Sequence, residues 1–562
     1  MTPTPLTAAR ILAPGVPEDR RDEYRRLGYV SDMTMSSSVE RAARLWGSRP
    51  ALAQAGLQMT HRELLGLVER AAAWLSGAGI RSGDVVCWQT PNWWEAHLLG
   101  LAVWHVGAVS APIAPFYREH ELRQVIEEVR PTAVISAEAF RGFEHAEAFE
   151  DLLAENGLDE IPRILLRGSR CGWTPFDDVV CHPRRLPSAK VGADEPCLVL
   201  FTSGTTSRAK AAVHSSRTLL AETRQLADAW GLRWDDVAYM AAPLQHITGL
   251  LNAMTIPLLV GACAVLAERW EPSQAVQDMM AHQVTYSAGA TVFLHELTDA
   301  ARDARIRLPL RMFACGGASV PRAVMERSEE QGIPAARVYG MTELPTVTVM
   351  NRADPFDLRA TTDGAVAPGV EVRVLGDDGR PLPTGLAGEL AVRGPERMVG
   401  YLEPAANRAA LDDDGWFRTG DVGILDDDGF LTITGRIKDV INRGGEKFSA
   451  RDIEDLLVAH PSVRQAAVVA GPDARFGEIP VAFLVFHDGR QSSVSELAAH
   501  LHTAGLARQK TPAAWHFVDS LPMTPSGKVK KFELAATAAG DSAPARSIPR
   551  ADRSSRRSLR RA

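Results

Sequence analysis

The stretch CLVLFTSGTTSRAK, residues 197–210, joins an apolar run to a loop of small and hydroxylated residues. The run CLVLF predicts a buried strand, and the loop from Thr202 to Thr206 gathers hydroxyls and backbone N–H groups around Gly204. Such a loop can bind anionic oxygens, and Lys210 adds a positive charge beside it. Its glycine and lysine spacings differ from those of the GxxxxGK[ST] P-loop. Alone, the stretch fits a phosphate-binding loop and an ordinary surface turn about equally well.

Strands and helices alternate on the N-terminal side of this stretch. The run DVVCWQTPN (84–92) predicts a strand leading into a loop, WWEAHLLGLAVWHVG (93–107) an amphipathic helix, and AVSAPI (108–113) the next strand. The tryptophans of the helix 93–107 are expected in the core. Strand–helix repetition of this kind predicts an α/β fold with helix-covered, mostly parallel sheets.

The pattern changes along the C-terminal half of the chain. Residues 364–435 contain short alternating strands separated by Asp-Gly pairs, which predict hairpin turns and a β-barrel-like subdomain. The expected organisation is an N-terminal arm (1–30), a large N-terminal domain (31–436), a small α+β domain (437–535) and a disordered Arg/Ser-rich tail (536–562). The arm is expected to be extended or loosely packed.

Composition narrows the class of protein. The 562 residues carry a net charge of -7, which argues against a nucleic-acid partner. The six cysteines show no CxxC pair, so neither a disulfide framework nor a zinc site is expected. No signal peptide is visible, and the nearly apolar run 247–266 is interpreted as a buried helix-turn-strand because it contains a proline, two glycines and an asparagine. A cytoplasmic protein without a membrane partner is expected.

Further motifs follow the first loop in a fixed order. They are FACGGASVP (313–321), VYGMTE (338–343), WFRTGD (416–421), GRIKDVINRGGEKFS (435–449) and PMTPSGKVKK (522–531). This ordered set resembles the adenylate-forming superfamily over about residues 30–535. Within it, PNWWE (91–95), FRGFEHA (140–146), PLQHITGL (243–250) and RGGEKF (443–448) look most like cyclohexanecarboxylate and medium-chain acyl-CoA ligases.

The resemblance implies a reaction in two steps. A carboxylate attacks the α-phosphate of ATP, giving an acyl-adenylate and pyrophosphate, and a thiol such as that of coenzyme A then displaces AMP. Mg²⁺ accompanies ATP. The residue types fit this chemistry, since both steps bring anions together and require neutralising and positioning groups.

The resemblance also implies roles for individual residues. The catalytic group is Lys528, Thr342 and Glu343, with Glu343 as the Mg²⁺ ligand. The ATP and AMP site comprises Thr202, Ser203, Gly204, Thr205, Thr206, Lys210, Gly316, Gly317, Ala318, Tyr339, Gly340, Met341, Asp421 and Arg436. The acid pocket comprises His246, Ala288 and Gly289, the hinge is Lys438, and the CoA-side loop contains Arg443, Gly444 and Gly445.

The first loop departs from the family's pattern. Where the family has Gly, a variable residue and Pro-Lys-Gly, this chain has Ser207, Arg208, Ala209, Lys210 and Ala211. Two glycines and a proline are replaced, so the loop is expected to visit positive φ less readily and to be less pre-kinked. We interpret it as a functional but altered loop.

Small and apolar residues around the expected pocket favour a hydrophobic or aromatic acid, in a free-standing CoA ligase that could serve bacterial secondary metabolism. Two alternatives stay open: a relative that activates nitrite to diazotise an amino-aryl acid, and a non-catalytic AMP-binding sensor. The identity of the acid, the final acceptor (CoA, a carrier protein or an amine), a homodimeric state and the role of the Arg-rich tail are left open.

Overall fold

The computed structural model describes residues 5–202, 209–317, 320–444, 446–523 and 529–540. The chain divides into two compact units, with the boundary between Thr434 and Gly435. The first and larger unit contains two large sheets with helices packed against them, and the second is a smaller α+β unit. This confirms the predicted α/β class with a large N-terminal and a small C-terminal domain.

The first large sheet is parallel apart from one hairpin. Its strands, in spatial order, are Ala335–Val338, Met312–Gly316, Tyr286–Gly289, Val237–Met240, Cys263–Leu266, Pro50–Gln54 and Leu57–Thr60. Of the strand pairs in this sheet, only the last one is antiparallel. Because the parallel strands point the same way, the segments that follow them emerge at one edge.

The second large sheet is mixed. Its strands, in spatial order, are Gly400–Tyr401, Lys210–Ser215, Pro196–Thr202, Val109–Pro112, Val85–Gln89, Ala133–Ala137, Arg163–Leu166 and Thr174–Pro175. The predicted strand CLVLF lies inside Pro196–Thr202 and pairs antiparallel with Lys210–Ser215, so that Thr202 lies opposite Lys210. Because of this register, the two residues at the ends of the first loop are neighbours in space.

Helices cover the sheets. Those of the first unit are Glu18–Arg26, Met35–Trp46, His61–Gly77, Trp94–His105, Glu119–Val129, His145–Glu155, Phe176–Val180, Ser216–Trp230, Ile247–Leu250, Ile256–Val260, Pro272–Ala281, Thr291–Ala304, Arg322–Glu330, Phe356–Thr361 and Pro404–Ala410. Local signals fix several starts: Thr60 and Glu63, for example, form a reciprocal capping box at the start of His61–Gly77. The largest core cluster joins side chains of both sheets, including Leu52 and Val86.

The helix Trp94–His105 differs from its prediction as an amphipathic helix. Every residue from Glu95 to His105 is buried. The polar ones have partners: Arg167 binds Glu95 through two hydrogen bonds of 2.9 and 3.0 Å, and the His97 ring contacts the Ala253 carbonyl. The prediction failed because tertiary partners allow polar residues on a helix that is enclosed on all sides.

The apolar run 247–266 forms the predicted buried helix-turn-strand. Helical turns at Ile247–Leu250, Leu251–Thr255 (a π-helical segment) and Ile256–Val260 lead through Gly261 to the strand Cys263–Leu266. Across the described ranges, no helix combines the length and the apolar character needed to cross a membrane.

The N-terminal arm is packed, which corrects the expectation of an extended or loose segment. Leu6, Ile11 and Tyr24 are buried, and Tyr24 lies on the helix Glu18–Arg26. The carbonyl oxygen of Pro14 accepts a hydrogen bond from the Arg397 guanidinium. The prolines and charges of this segment resemble those of a free arm, and only the distant partners show that it is held.

The hairpin-rich region forms an antiparallel sheet. Its strands, in spatial order, are Glu371–Leu375, Ala387–Arg393, Phe417–Leu425 and Leu431–Arg436. Gly379, Gly415 and Gly429 of the predicted Asp-Gly turns all adopt positive φ. Two small pairs complete the strands described in the first unit, Ala139–Phe140 with Phe143–Glu144 and Thr348–Val349 with Ala365–Val366.

The second unit has its own sheet and core. The sheet contains Glu446–Ser449, Val440–Arg443, Gly477–Phe486, Val463–Asp473 and Ala514–Phe517. Its helices are Ala450–Val458, Val494–Thr503 and Lys531–Gly540. Lys528, which was predicted to be catalytic, lies outside the described residues.

Two carboxyl groups are enclosed in the first unit. Glu222 and Glu396 are 1% and 0% exposed, and the Thr346 hydroxyl donates to Glu222. Burial is the main cause that raises the pKa of both carboxyls to about 8, and the negative charge of Glu396 contributes to the shift of Glu222. The folded chain therefore holds protons here that an unfolded chain releases near the ordinary value of 4.5.

We predict that the double variant Glu222→Gln/Glu396→Gln loses less stability than the wild type as pH rises from about 5 to 8. With raised folded pKa values, the stability contributed by these protons is complete below about pH 4.5 and is lost as pH rises through about 8. Each carboxyl lowers the unfolding free energy by up to ~1.4 kcal/mol per pH unit in that window. Thermal melting of both proteins from pH 5 to 9 measures the difference. Parallel Tm curves would contradict it.

Candidate active site

A short chain of contacts links the first loop to the VYGMTE segment. The Lys210 ammonium lies 5.0 Å from the centroid of the Tyr401 ring. The Tyr401 hydroxyl donates to Glu343 Oε1 at 2.6 Å, and Tyr401 and Glu343 are both buried. Burial first, and the Glu343 charge second, raise the pKa of Tyr401, so its hydroxyl stays a donor. A cation, a phenol and a carboxylate therefore lie together within the first unit.

The strand Lys210–Ser215 explains this arrangement. Side chains alternate along a strand, so Lys210, Ala212 and His214 share one face, and Ala212 lies opposite Tyr401 in the neighbouring strand. The backbone amide of Met398, just before that strand, donates to the Glu343 carbonyl at 2.8 Å. The second sheet thus presents its edge to the segment that carries Glu343.

His214 is a buried support of the site that the sequence interpretation missed. Its Nε2 lies 2.8 Å from the carbonyl oxygen of Thr342, and its Nδ1 lies 3.1 Å from the Thr218 hydroxyl. Burial lowers its pKa to about 4, so the ring is neutral at pH 7 and donates from Nε2 to that carbonyl. The alternation from Lys210 through His214 was the signal that could have found it.

A second group of contacts surrounds the predicted adenine and ribose residues. The Tyr339 hydroxyl donates to Asp421 Oδ2 at 2.7 Å, and Asp421 is 3% exposed. Gly316 pairs with Val338 in the parallel sheet, and a Cβ at Gly316 would lie 2.6 Å from the Val338 carbonyl oxygen. A glycine is therefore required where these two strands end. Gly317, which follows it, adopts a φ of +79°.

Glycine is also required at Gly340. A Cβ there would lie 1.9 Å from the carbonyl oxygen of Pro345, while the amide of Met341 donates to the Leu344 carbonyl at 2.9 Å. The YGMTE segment consequently folds into a tight turn with Thr342 and Glu343 at its tip. This turn brings the predicted catalytic pair close to Tyr401.

A small cavity of about 30 Å³ lies beside these residues. Its lining comprises Ala242, Pro243, His246, Thr248, Gly289, Ala290, Phe293, Gly316 and Gly317. His246 Nδ1 accepts a hydrogen bond from the Thr248 amide at 3.3 Å, which places the proton of a neutral ring on Nε2. Of the predicted acid-pocket residues, His246 and Gly289 line the cavity, whereas Ala288 is buried in the preceding strand position.

Phe293 closes one side of the cavity. A Cβ at Gly289 would lie 2.6 Å from Phe293 Cδ2, and the Phe293 ring centroid is 4.8 Å from that of Trp270. The glycine therefore leaves the room that the phenyl ring occupies. Phe293 lies in the first turn of the helix Thr291–Ala304, and the sequence does not show which side chains of this helix point inward.

The remaining predicted residues fall in two groups. Arg436, Lys438, Arg443 and Gly444 belong to the second unit, where Arg436 and Lys438 flank Ile437 on an exposed 3₁₀ turn. There the Arg443 guanidinium lies 4.8 Å from the centroid of the Phe476 ring, and the Gly444 amide donates to the Phe476 carbonyl. Ser203, Gly204, Thr205, Thr206, Ala318, Gly445 and Lys528 lie outside the described residues.

The carboxylate of Glu343 is suited to a hard cation. Mg²⁺ is commonly held through one or two carboxylates together with substrate phosphates and water. In the described part of the chain, no cluster of three or more His, Cys, Asp or Glu side chains could hold a metal by itself. Glu343, held in place by Tyr401, therefore fits a cation that arrives with a phosphate ligand.

Comparisons with known proteins agree with this architecture. Residues 39–402 match the model of the AMP-binding enzyme family, and residues 452–528 match that of the AMP-binding enzyme C-terminal domain. The medium-chain fatty-acid–CoA ligase of Escherichia coli (strain K12) is 34% identical over 525 residues, with 92% of each chain covered. A salicylyl-CoA synthase/salicylate adenylyltransferase of a Streptomyces species is 31% identical over 92% of this chain and 96% of its own.

The fold agrees as well. The ATP-bound crystal structure of MatB from Rhodopseudomonas palustris superimposes with a TM-score of 0.79 at 28% identity, over 90% of this chain and 99% of that one. The two family matches and the full-length relatives therefore agree with the site described above. That site contains the Lys210 cation, the Glu343 carboxylate held by Tyr401, and a cavity lined in part by glycines. The chain belongs to the family of AMP-binding enzymes and is an AMP-forming ligase.

Proposed function

We propose that this chain activates a hydrophobic or aromatic carboxylic acid with ATP, releasing pyrophosphate, and transfers the acyl group to coenzyme A. One observation supports this proposal most directly: within the first unit, the cavity around His246 adjoins the predicted nucleotide-binding residues. Gly316 and Gly317 line the cavity that contains His246, and the strand paired with Gly316 leads directly to Tyr339 and its partner Asp421. An acid and a nucleotide bound to these residues would be neighbours.

The nucleotide side is assigned as follows. Lys210, with the loop Thr202–Thr206, would bind the β- and γ-phosphates, and Thr342 would contact the α-phosphate. Asp421 accepts one hydrogen bond from Tyr339, and an ionised carboxylate has several acceptor positions, which suits the ribose hydroxyls. Arg436 would lie near the ribose. Gly316, Gly317, Ala318, Tyr339, Gly340 and Met341 would form the adenine slot.

Glu343 would hold Mg²⁺ against the phosphates. When bound, the ion would supply positive charge that neutralises the reacting triphosphate. The chain's own contribution is to fix the carboxylate through the Tyr401 hydroxyl and to place the Lys210 cation over the same ring. Lys528, assigned from the family's motif, would neutralise the reacting carboxylate and α-phosphate.

The acid side is assigned to the cavity around His246. The described residues that line it are glycine, alanine, proline, threonine, histidine and phenylalanine, and none of these carries a carboxylate or ammonium group. Such a lining disfavours an amino-acid zwitterion, whose charges would lack partners. The proposed domain arrangement gives the second unit a hinge at Lys438 and a CoA-side loop at Arg443–Gly445. The CoA acceptor is supported by the two relatives, both named for CoA products.

A pyrophosphate-release screen tests the function. Fatty, alicyclic and aromatic acids are each supplied with ATP and Mg²⁺, with and without CoA, and products are identified by mass spectrometry. We expect one acid class to release pyrophosphate and to give an acyl-CoA. Diazotised product from nitrite and an amino-aryl acid without CoA would replace this proposal by nitrite activation. AMP binding without pyrophosphate release from any acid or nitrite would indicate a sensor.

We predict that Tyr401→Phe raises the KM for ATP about tenfold and leaves the KM for the acid within about twofold. The change removes a hydrogen bond to a charged group, which contributes ~1.5–3 kcal/mol, and keeps the ring beneath Lys210. Initial rates of pyrophosphate release against each substrate measure both constants. Tyr239→Phe is the matched control, a buried tyrosine in the core cluster around Val276 and Met279. Equal changes in both KM values for Tyr401→Phe would contradict the assignment.

We predict that Phe293→Ala shifts the preference toward larger acids by about tenfold in kcat/KM. Removing the ring enlarges the cavity, and one or more methylenes buried in an apolar pocket change discrimination by ~1–3 kcal/mol. Competition between a short and a longer acid, analysed by mass spectrometry of the CoA products, measures the shift. Phe143→Ala, at a short hairpin outside the cavity, is the control. An unchanged product ratio would show that Phe293 does not limit the acid.

A further inference from the structure

The turn after the strand Val85–Gln89 carries a buried amide that no part of the proposed reaction uses. Asn92 is 4% exposed. Its Nδ2 donates to the Ala242 carbonyl at 2.9 Å, and its Oδ1 accepts from the Leu244 amide at 2.9 Å. One planar side chain therefore satisfies a donor and an acceptor on a segment 150 residues further along the chain.

A second amide connects the same two segments in the opposite direction. Gln245 Nε2 donates to the Thr90 carbonyl at 2.8 Å, and both residues are buried. The turn is also held from the first sheet: Gln54 Nε2 donates to the Asn92 carbonyl at 2.6 Å, and Gln54 Oε1 accepts from the Trp94 amide at 2.9 Å. Asn92 thus stands on a turn that is anchored to both sheets.

The segment that Asn92 holds is the one that leads to His246. The strand Val237–Met240 ends just before it, so the polar backbone atoms of Ala242 and Leu244 are satisfied by the Asn92 side chain. The following helix packs directly on it, because a Cβ at Gly249 would lie 2.1 Å from the Pro243 carbonyl oxygen. The backbone at 242–244 therefore determines where the imidazole enters the cavity.

We propose that Asn92 is a positioning residue for acid binding: by holding the backbone of Ala242 and Leu244, it sets the place of His246 in the acid cavity. This rests on the proposed function, which assigns that cavity to the acid. The role requires one donor and one acceptor on a single planar group, as an amide provides. An ionised aspartate at this position would keep the acceptor but would face the Ala242 carbonyl without a donor.

Asn92→Asp tests the role through pH. At pH 8 we expect a rise of about tenfold in the KM for the acid, with the KM for ATP within about twofold, because a buried acceptor loses its donor. A protonated aspartic acid again has one donor and one acceptor. Lowering the pH to 6 should therefore restore the acid KM of the variant relative to the wild type at the same pH. A merely structural loss would not recover in this way.

Asn407→Asp is the matched control. Asn407 is 0% exposed, and its amide holds another segment, accepting from the Tyr401 amide at 2.7 Å and donating to the Tyr401 carbonyl at 2.9 Å. The same substitution there should spare the KM for the acid. Equal effects of both substitutions on the acid KM, equal effects of Asn92→Asp on acid and ATP, or the lack of recovery at pH 6 would each overturn the proposal.

Two further measurements test the proposal independently of the proposed function and in case the first variant fails to fold. Hydrogen exchange of the Leu244 amide should be faster in Asn92→Leu, which removes the acceptor of that amide, than in the wild type at pH 8, whichever substrate the enzyme uses; unchanged protection overturns the proposal even if the acid screen succeeds. If Asn92→Asp does not fold, Gln245→Met removes the second hydrogen bond with little change in size. It should raise the acid KM about threefold, and an unchanged acid KM overturns the proposal.

Discussion

The parallel register of the first sheet is the constraint on which the site depends. Parallel strands end at one edge, so the segments after Val237–Met240, Tyr286–Gly289, Met312–Gly316 and Ala335–Val338 meet there. These segments carry the cavity residues, the glycine turn and the VYGMTE motif. Close approach of their backbones needs glycine, and Gly316 and Gly340 each face a carbonyl oxygen that a Cβ would strike. Spacing between strands, rather than any single side chain, sets the shape of the site.

Polar contacts between the two large sheets then fix the chemistry. His214, on the second sheet, donates to the Thr342 carbonyl beyond a strand of the first, and Gln54, on the first, holds the turn after a strand of the second. A buried polar group without a partner costs free energy, so each such contact specifies one arrangement of the loops. At both junctions a neutral group orients the loop, the imidazole of His214 in one and the amide of Gln54 in the other.

Sequence interpretation succeeded where the signal is local. The buried helix-turn-strand of 247–266 and the Asp-Gly turns were predicted correctly, because proline, glycine and positive φ act within a few residues. It failed for the N-terminal arm and for the helix Trp94–His105, where Tyr24 and Glu95 are buried by partners far along the chain. Periodicity reports which residues can be buried on one face, and it does not report what covers the other.

By itself the sequence determined the fold class, the order of the motifs and the reaction family, since these depend on residue types at short and fixed spacings. Only the tertiary structure decided which side chains act together around those motifs. Tyr401 reaches Glu343 across 58 residues and Tyr339 reaches Asp421 across 82, and neither pairing has a sequence pattern. The placement of Phe293 and Asn92 likewise has no sequence pattern, because the direction of a side chain is set by packing between elements that are distant in the chain.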